Sequence, residues 1–178
     1  AGIGERANEA GLVHRLDQQT SGVLLAARTP EAYRRLRLAF GSGRTRKQYL
    51  ALAAGRLERS REIALPLARR AGRMVSATAH DASALPARTR FEPLEVGRDW
   101  SLLLVTMRSG VMHQVRAHAA ALGHPLLGDV EYGGPPARPG CRDGQMLHAL
   151  RVQVEGEVDA SVGPPEDFLR VLAEQRRG

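Results

Sequence analysis

The chain has 178 residues and one cysteine, Cys141. A lone thiol excludes an internal disulfide framework and a thiolate metal cage, and it suits a reducing compartment. Lysine is equally scarce: Lys47 is the only one, so a formal charge of +7 rests almost wholly on arginine. Arginine excess can simply follow from a GC-rich genome. Guanidinium forks also suit phosphate recognition better than ammonium groups do, which keeps a polyanionic partner open. No apolar run approaches 18 residues, so no membrane-spanning helix is expected. The N-terminus lacks a signal-peptide core. The chain also lacks an initiator methionine, and its start at Ala1 reads as that of a fragment or a trimmed protein.

What is present is ordinary globular sequence. A hydrophobic content of 43% with 25% charged residues supports one folded domain over residues 1–178. Val23 to Ala27 predicts a short buried strand. Thr29-Pro30-Glu31 predicts a helix start, with a Thr cap, Pro in the first turn and an acid at the positive end of the dipole. That helix should run to about Phe40 and stop at Gly41-Ser42-Gly43. Residues 45–55 predict a strand, and 63–86, broken by Pro66, Gly72 and Pro86, mostly loop. Arg88 to Val96 and Trp100 to Met107 predict two strands joined by a tight turn at 97–99. Alanine-rich 113–123 predicts a helix closed by Gly123. A long Gly/Pro loop from 128 to 139, a strand at 146–154 and a terminal helix at 164–177 complete an α+β chain.

Several chemistries find no support. His113 and His118 are five residues apart, and no Cys/His spacing matches a zinc ligand set. Gly41-Ser42-Gly43 lacks the later Gly-Lys-Ser/Thr of a P-loop. No Gly-x-Ser-x-Gly elbow marks a serine nucleophile. A glycosidase-like pair of carboxylates stays open, although nothing singles out a partner for Asp17. Arg34, Arg35, Arg37, Arg44, Arg46 and Lys47 cluster within fourteen positions. Such a cluster is either a solvated helix face or a nucleic-acid backbone track. In "RSGVMHQVRAH", helical spacing puts His113 and Arg116 on one face, with Val115, Ala119 and Leu122 on the buried side.

Three stretches together, "HRLDQQTSGVLLAAR", "RKQYLAL" and "SGVMHQVRAHAAALGHPLLGDVEYGG", resemble the signature segments of the RluA-type family of RNA pseudouridine synthases. Weaker likenesses extend the resemblance over roughly residues 11–172. It implies a pseudouridine-synthase-like α+β fold with a mixed, largely antiparallel sheet flanked by helices. It also implies isomerisation of a uridine in RNA, rRNA before tRNA, with no metal or cofactor. The implied protein is a cytoplasmic monomer with no membrane partner. The alternative is a truncated relative of the same family that binds RNA without turning it over.

By that resemblance Asp17 is the catalytic carboxylate, Arg116 its ion-pair partner and Tyr49 the active-site tyrosine, able to stack on uracil or move a proton at C5. A cation beside a carboxylate keeps it ionised, and a buried charge needs a counter-charge, so Asp17 and Arg116 would explain each other. Arg15 would fill the place of the flipped base. His14, Arg44, Arg46, Lys47, His113 and Gln114 would meet RNA, and Thr20 and Leu147 would border the pocket. The chain departs from the family at Val111-Met112, where Arg-Thr is common. It shows no S4-like module, and only ten residues precede Gly11 where upstream strands are expected. If those strands are absent, a sheet edge is uncovered and part of the active-site wall is lost.

Overall fold

A computed structural model describes residues 3, 11–78, 80–136 and 144–178. Its strands are Ser21–Gly22 (β1), Thr45–Ala54 (β2), Arg61–Ile63 (β3), Leu67–Arg70 (β4), Arg73–Ser76 (β5), Thr89–Val96 (β6), Trp100–Met107 (β7), Leu147–Val154 (β8) and Val158–Ser161 (β9). The helices are Pro30–Gly41 (α1), Gln114–Ala121 (α2) and Glu166–Arg177 (α3), with a 3₁₀ turn at Val130–Tyr132. Seven strands form one mixed sheet in the order β1-β8-β2-β7-β6-β3, with β9 also paired to β8. Among the described residues only β1–β8 is parallel; the other pairings in this sheet are antiparallel.

Side-chain alternation along the long central strands decides what each face carries. Lys47, Tyr49 and Ala51 stand opposite Met107, Val105 and Leu103 on β7, and this face packs on Val115 and Ala119 of α2. Leu52 and Leu102 point the other way, onto Phe168, Val171 and Leu172 of α3. Strand β8 changes parity. Leu147 and Ala149 match Ala51 and Tyr49, yet Val152 matches Lys47, because the register shifts between Gln48 and Tyr49 and leaves Leu150 as the extra residue. The bulge keeps both halves of β8 on one face. Its first half then meets the α2 core, while Val152 and Val154 receive Tyr33, Leu36 and Ala39 of α1. Helices α1 and α2 therefore share a face of the sheet, with Lys47 and Tyr49 between them.

Local expectations hold where caps and turns are explicit. Thr29 Oγ1 accepts from the Ala32 N–H at 3.2 Å, Gly97 N–H donates to Trp100 O, and Gly123 ends α2 with φ +81°. Two expectations need correction. The strand expected at 23–27 pairs as β1 two residues earlier; beyond it the chain continues extended, bridging Ala26 to Leu12. Leu24 is exposed, so this segment is an edge rather than an interior strand. The 63–86 segment is not mostly loop: β4 and β5 form a hairpin whose two turn residues, Ala71 and Gly72, both have positive φ. That is the backbone sense hairpin twist favours. Strands of four residues are too short to show alternation. Strand β9 and the 3₁₀ turn were also not expected. Cys141 and part of the 128–139 loop lie outside the described residues. Among the described residues, no helix is long and apolar enough to cross a membrane.

Candidate active site

A cleft of about 1680 Å³ opens between α1, α2 and the residue 13–20 segment. Asp17, Tyr49, Arg116, Arg15, His14, Lys47, His113, Gln114, Thr20 and Leu147 all line it, so one cavity gathers residues from across the chain. The two other residues expected to meet RNA lie outside its wall. Arg46 alternates with Lys47 on β2, so its side chain leaves from the opposite face of the sheet. Arg44 turns its Nε to Ser42 Oγ instead. From the rest of the basic cluster, Arg34 and Arg37 border the cleft, whereas Arg35 forms a two-bond pair with Glu157.

Asp17 occupies a turn immediately before β1, where Thr20 N–H donates to its carbonyl at 2.9 Å. Two buried side chains fasten that turn from behind. Gln145 Nε2 donates to Thr20 Oγ1 at 2.9 Å, and Ser21 Oγ lies 2.9 Å from His148 Nδ1. His148 Nε2 is 3.0 Å from Val162 O, an acceptor only, so Nε2 carries the proton and Nδ1 accepts from Ser21. Gly22 follows with φ +122°, and a Cβ there would come within 2.2 Å of Ala149 O. Glycine at 22 is what lets the Asp17 turn lie directly against β8.

The carboxylate of Asp17 is 3.7 Å from Arg116 Nη1 and 3.9 Å from His113 Nε2. Arg116 is not reserved for it. Nε and Nη2 donate to the two oxygens of buried Asp129 at 2.8 and 2.7 Å, and Nη2 also meets Glu131 at 2.7 Å. The tight fork belongs to Asp129, and the expected ion-pair partner, Asp17, meets the arginine's remaining nitrogen. Burial opposes the charge on Arg116, but hydrogen bonds and attraction from Asp129 and Glu131 outweigh it and hold the guanidinium firmly protonated. Asp129, Glu131 and Tyr132 were missed as site residues, although all three stand in the quoted "GDVEYGG". A paired acid two positions from another, in a loop, carries no periodic signal.

His113 precedes α2 in the left-handed conformation, φ +51°. A non-glycine residue there is uncommon and clusters at functional sites. Met74 N–H donates to Tyr132 Oη at 2.9 Å, and the same hydroxyl lies 3.0 Å from His113 Nδ1. Nε2 is the ring nitrogen that faces Asp17. Gln114, expected to meet RNA, is 2% exposed. Its oxygen accepts from Ser109 Oγ and Val111 N–H, and its nitrogen donates to Arg88 O and Thr89 Oγ1. With every amide group engaged, it positions the 109–111 loop. His14 likewise spends Nε2 as acceptor for Leu25 N–H and stacks on Phe40. Burial, and then the charge of Lys47, hold it down at about 4. Burial pushes the Tyr49 phenol up, and the charge of Asp17 adds to that, so Tyr49 keeps its proton on the cleft floor.

The family described as RNA pseudouridylate synthase matches residues 4–121. Among curated proteins, ribosomal large subunit pseudouridine synthase D of Haemophilus influenzae is 31% identical over 92% of this chain and 55% of its own length. The protein of the same name from Nitrosomonas europaea is 35% identical over 92% and 50%. The chain thus spans about half the length of the curated relatives it matches. Among solved structures, human RNA pseudouridylate synthase domain containing 1 superposes with a TM-score of 0.76 at 30% identity, covering 90% of this chain and 71% of that one. Motifs, family match and relatives agree: the chain belongs to the RNA pseudouridylate synthase family, of the RluA type.

Proposed function

We propose that the chain is the catalytic domain of an RNA pseudouridine synthase and isomerises a uridine in RNA, ribosomal RNA before transfer RNA. The observation that carries the proposal is the half-shielded Asp17 carboxylate, aimed into a cleft beside Arg116 and above Tyr49. In the isomerisation the C1′–N1 bond breaks, uracil turns, C5 bonds to C1′, the C5 proton leaves and N1 takes up a proton. Asp17 acts at the sugar or the base, with Arg116 and His113 beside it to orient the carboxylate. Tyr49 offers a stacking face, and its raised pKa favours stacking over proton abstraction. Arg15, exposed at the rim, is placed to fill the gap left when the target base leaves its stack.

A glycosidase-like pair would need a second carboxylate free to act with Asp17. Asp129 and Glu131 are nearby, but both turn their oxygens to Arg116, which weighs against that reading. Work on ribosomal RNA is supported by the names of the relatives. The single cysteine supports a reducing, cytoplasmic setting, and we place the protein there as a monomer. Tritium release from RNA labelled at uridine C5 tests the proposal: Asp17→Asn should lower release at least about a hundredfold while RNA is still bound. Release at the wild-type rate in that variant would remove Asp17 from the mechanism. Binding without release from any ribosomal or transfer RNA, by the wild-type chain, would leave a non-catalytic RNA-binding relative.

A further inference from the structure

We propose that Lys47 is a built socket for a phosphate of the target nucleotide, so that the cleft grips phosphate and base together. The inference rests on the RNA reading above and assigns a part of the substrate to a side chain. Lys47 is the only lysine in the chain, and only 5% of it is exposed. It lines the cleft on the same face of β2 as Tyr49, two residues away, which is about 7 Å along a strand. Its ammonium lies over the Phe40 ring at 5.5 Å. A Cβ on Gly110 would come within 3.0 Å of Nζ, so the absence of a side chain at 110 leaves the ammonium its room.

What Lys47 lacks is a counter-charge. Among the described residues no carboxylate pairs with it, and burial alone lowers it to about 8. Arg116, the other buried cation of the cleft, meets three carboxylates. A buried charge without a partner is costly in any fold, and a cavity that keeps one open is suited to an anion brought by the ligand. The neighbouring groups do not fill that role. His14 is neutral above about pH 4, Arg34, Arg37 and Arg108 on the walls repeat the positive sign, and Asp17 faces Arg116 and His113. An ammonium is a point charge with three donors, matched to phosphate oxygens. Tyr49, one alternation away, would then receive the base of the same nucleotide.

A single lysine makes the test direct, because protein labelled at lysine shows one side-chain ammonium resonance. Titrated alone, Lys47 should have a midpoint near 8. With 5′- or 3′-uridine monophosphate bound, as reported by amide shifts of cleft residues, the midpoint should rise by about one pH unit or more. Uridine should not move it. The wild-type chain should bind the monophosphate about 10- to 100-fold tighter than uridine, and Lys47→Met should erase that preference. A silent Lys47 with both monophosphates, a response to inorganic phosphate only, or an unchanged preference in Lys47→Met would each overturn the socket. Should Lys47→Met not fold, the wild-type titration still decides. Turnover beside a silent Lys47 would sink this inference alone; a responsive Lys47 without tritium release would sink the catalytic reading and leave the socket standing.

Discussion

Removing the acid that holds Arg116 tests the charge arrangement at its tightest point. In Asp129→Asn the shape is kept, but the carboxylate that takes both Nε and Nη2 is lost. Breaking a buried pair from one side costs about 3–5 kcal/mol, since the remaining charge is left without its partner in a poor solvent for it. Here Arg116 keeps Glu131, which is half exposed, and Asp17 at 3.7 Å. Those two move the expected cost to the low end, about 3 kcal/mol. For a chain of this size each kcal/mol lowers the melting temperature by about 2–4 °C, so the variant should melt about 6–12 °C below the parent. Circular dichroism melts, supported by urea titration with an unchanged m-value, read this out. Freed from Asp129, the guanidinium should also turn further toward Asp17, so tritium release should fall more steeply than RNA affinity. A melting temperature within 2 °C of the parent would refute the claim that Asp129 is the arginine's main partner.

Two further outcomes follow from other parts of the structure. His14 is held at about 4 in the fold against 6.5 free. The unfolded chain therefore binds more protons between those values, and stability present above pH 6.5 is lost as pH falls through 6.5 toward 4. With its partial exposure allowed for, the loss is about 2 kcal/mol; His14→Gln, which can still accept from Leu25 N–H, should lack that part of the acid sensitivity, and parallel denaturant titrations at pH 7 and pH 4.5 would expose an error if the two lose stability alike. Gly22→Ala would drive a methyl into Ala149 O and so pry the Asp17 turn from β8. A loss of about 2–3 kcal/mol with strongly reduced tritium release is expected, and an unperturbed melt would count against the close approach.

How much of the site could be read in one dimension differs from residue to residue. Asp17, Tyr49 and Arg116 stand in compact, ordered motifs, and the cleft gathers all three. Gln114 stands in an equally clear motif, yet its four hydrogen bonds bury it as a brace; a motif marks that a residue matters without saying which neighbours consume its polar groups. Arg46 sits beside Lys47 in sequence and across the sheet from it in space. The hairpin at 67–76 was hidden because an Ala-Gly turn lacks the Asn-Gly signature that usually announces it.

From sequence alone came the α+β class, the capped helix from Pro30 to about Phe40, the central strands, the α2 helix closed by Gly123, and the gathering of chemistry in three motifs. These rest on local physics: cap bonds, turn angles and side-chain period act within a few residues. Tertiary structure alone decided that Arg116 belongs first to Asp129, that His148 and Gln145 fasten the Asp17 turn, and that Lys47 faces the cleft without a counter-charge among the described residues. Those partnerships depend on strand register, on the Leu150 bulge that flips the parity of β8, and on which charges burial brings together. Coulomb and hydrogen-bond energies fall off with distance through space, and distance along the chain does not enter them.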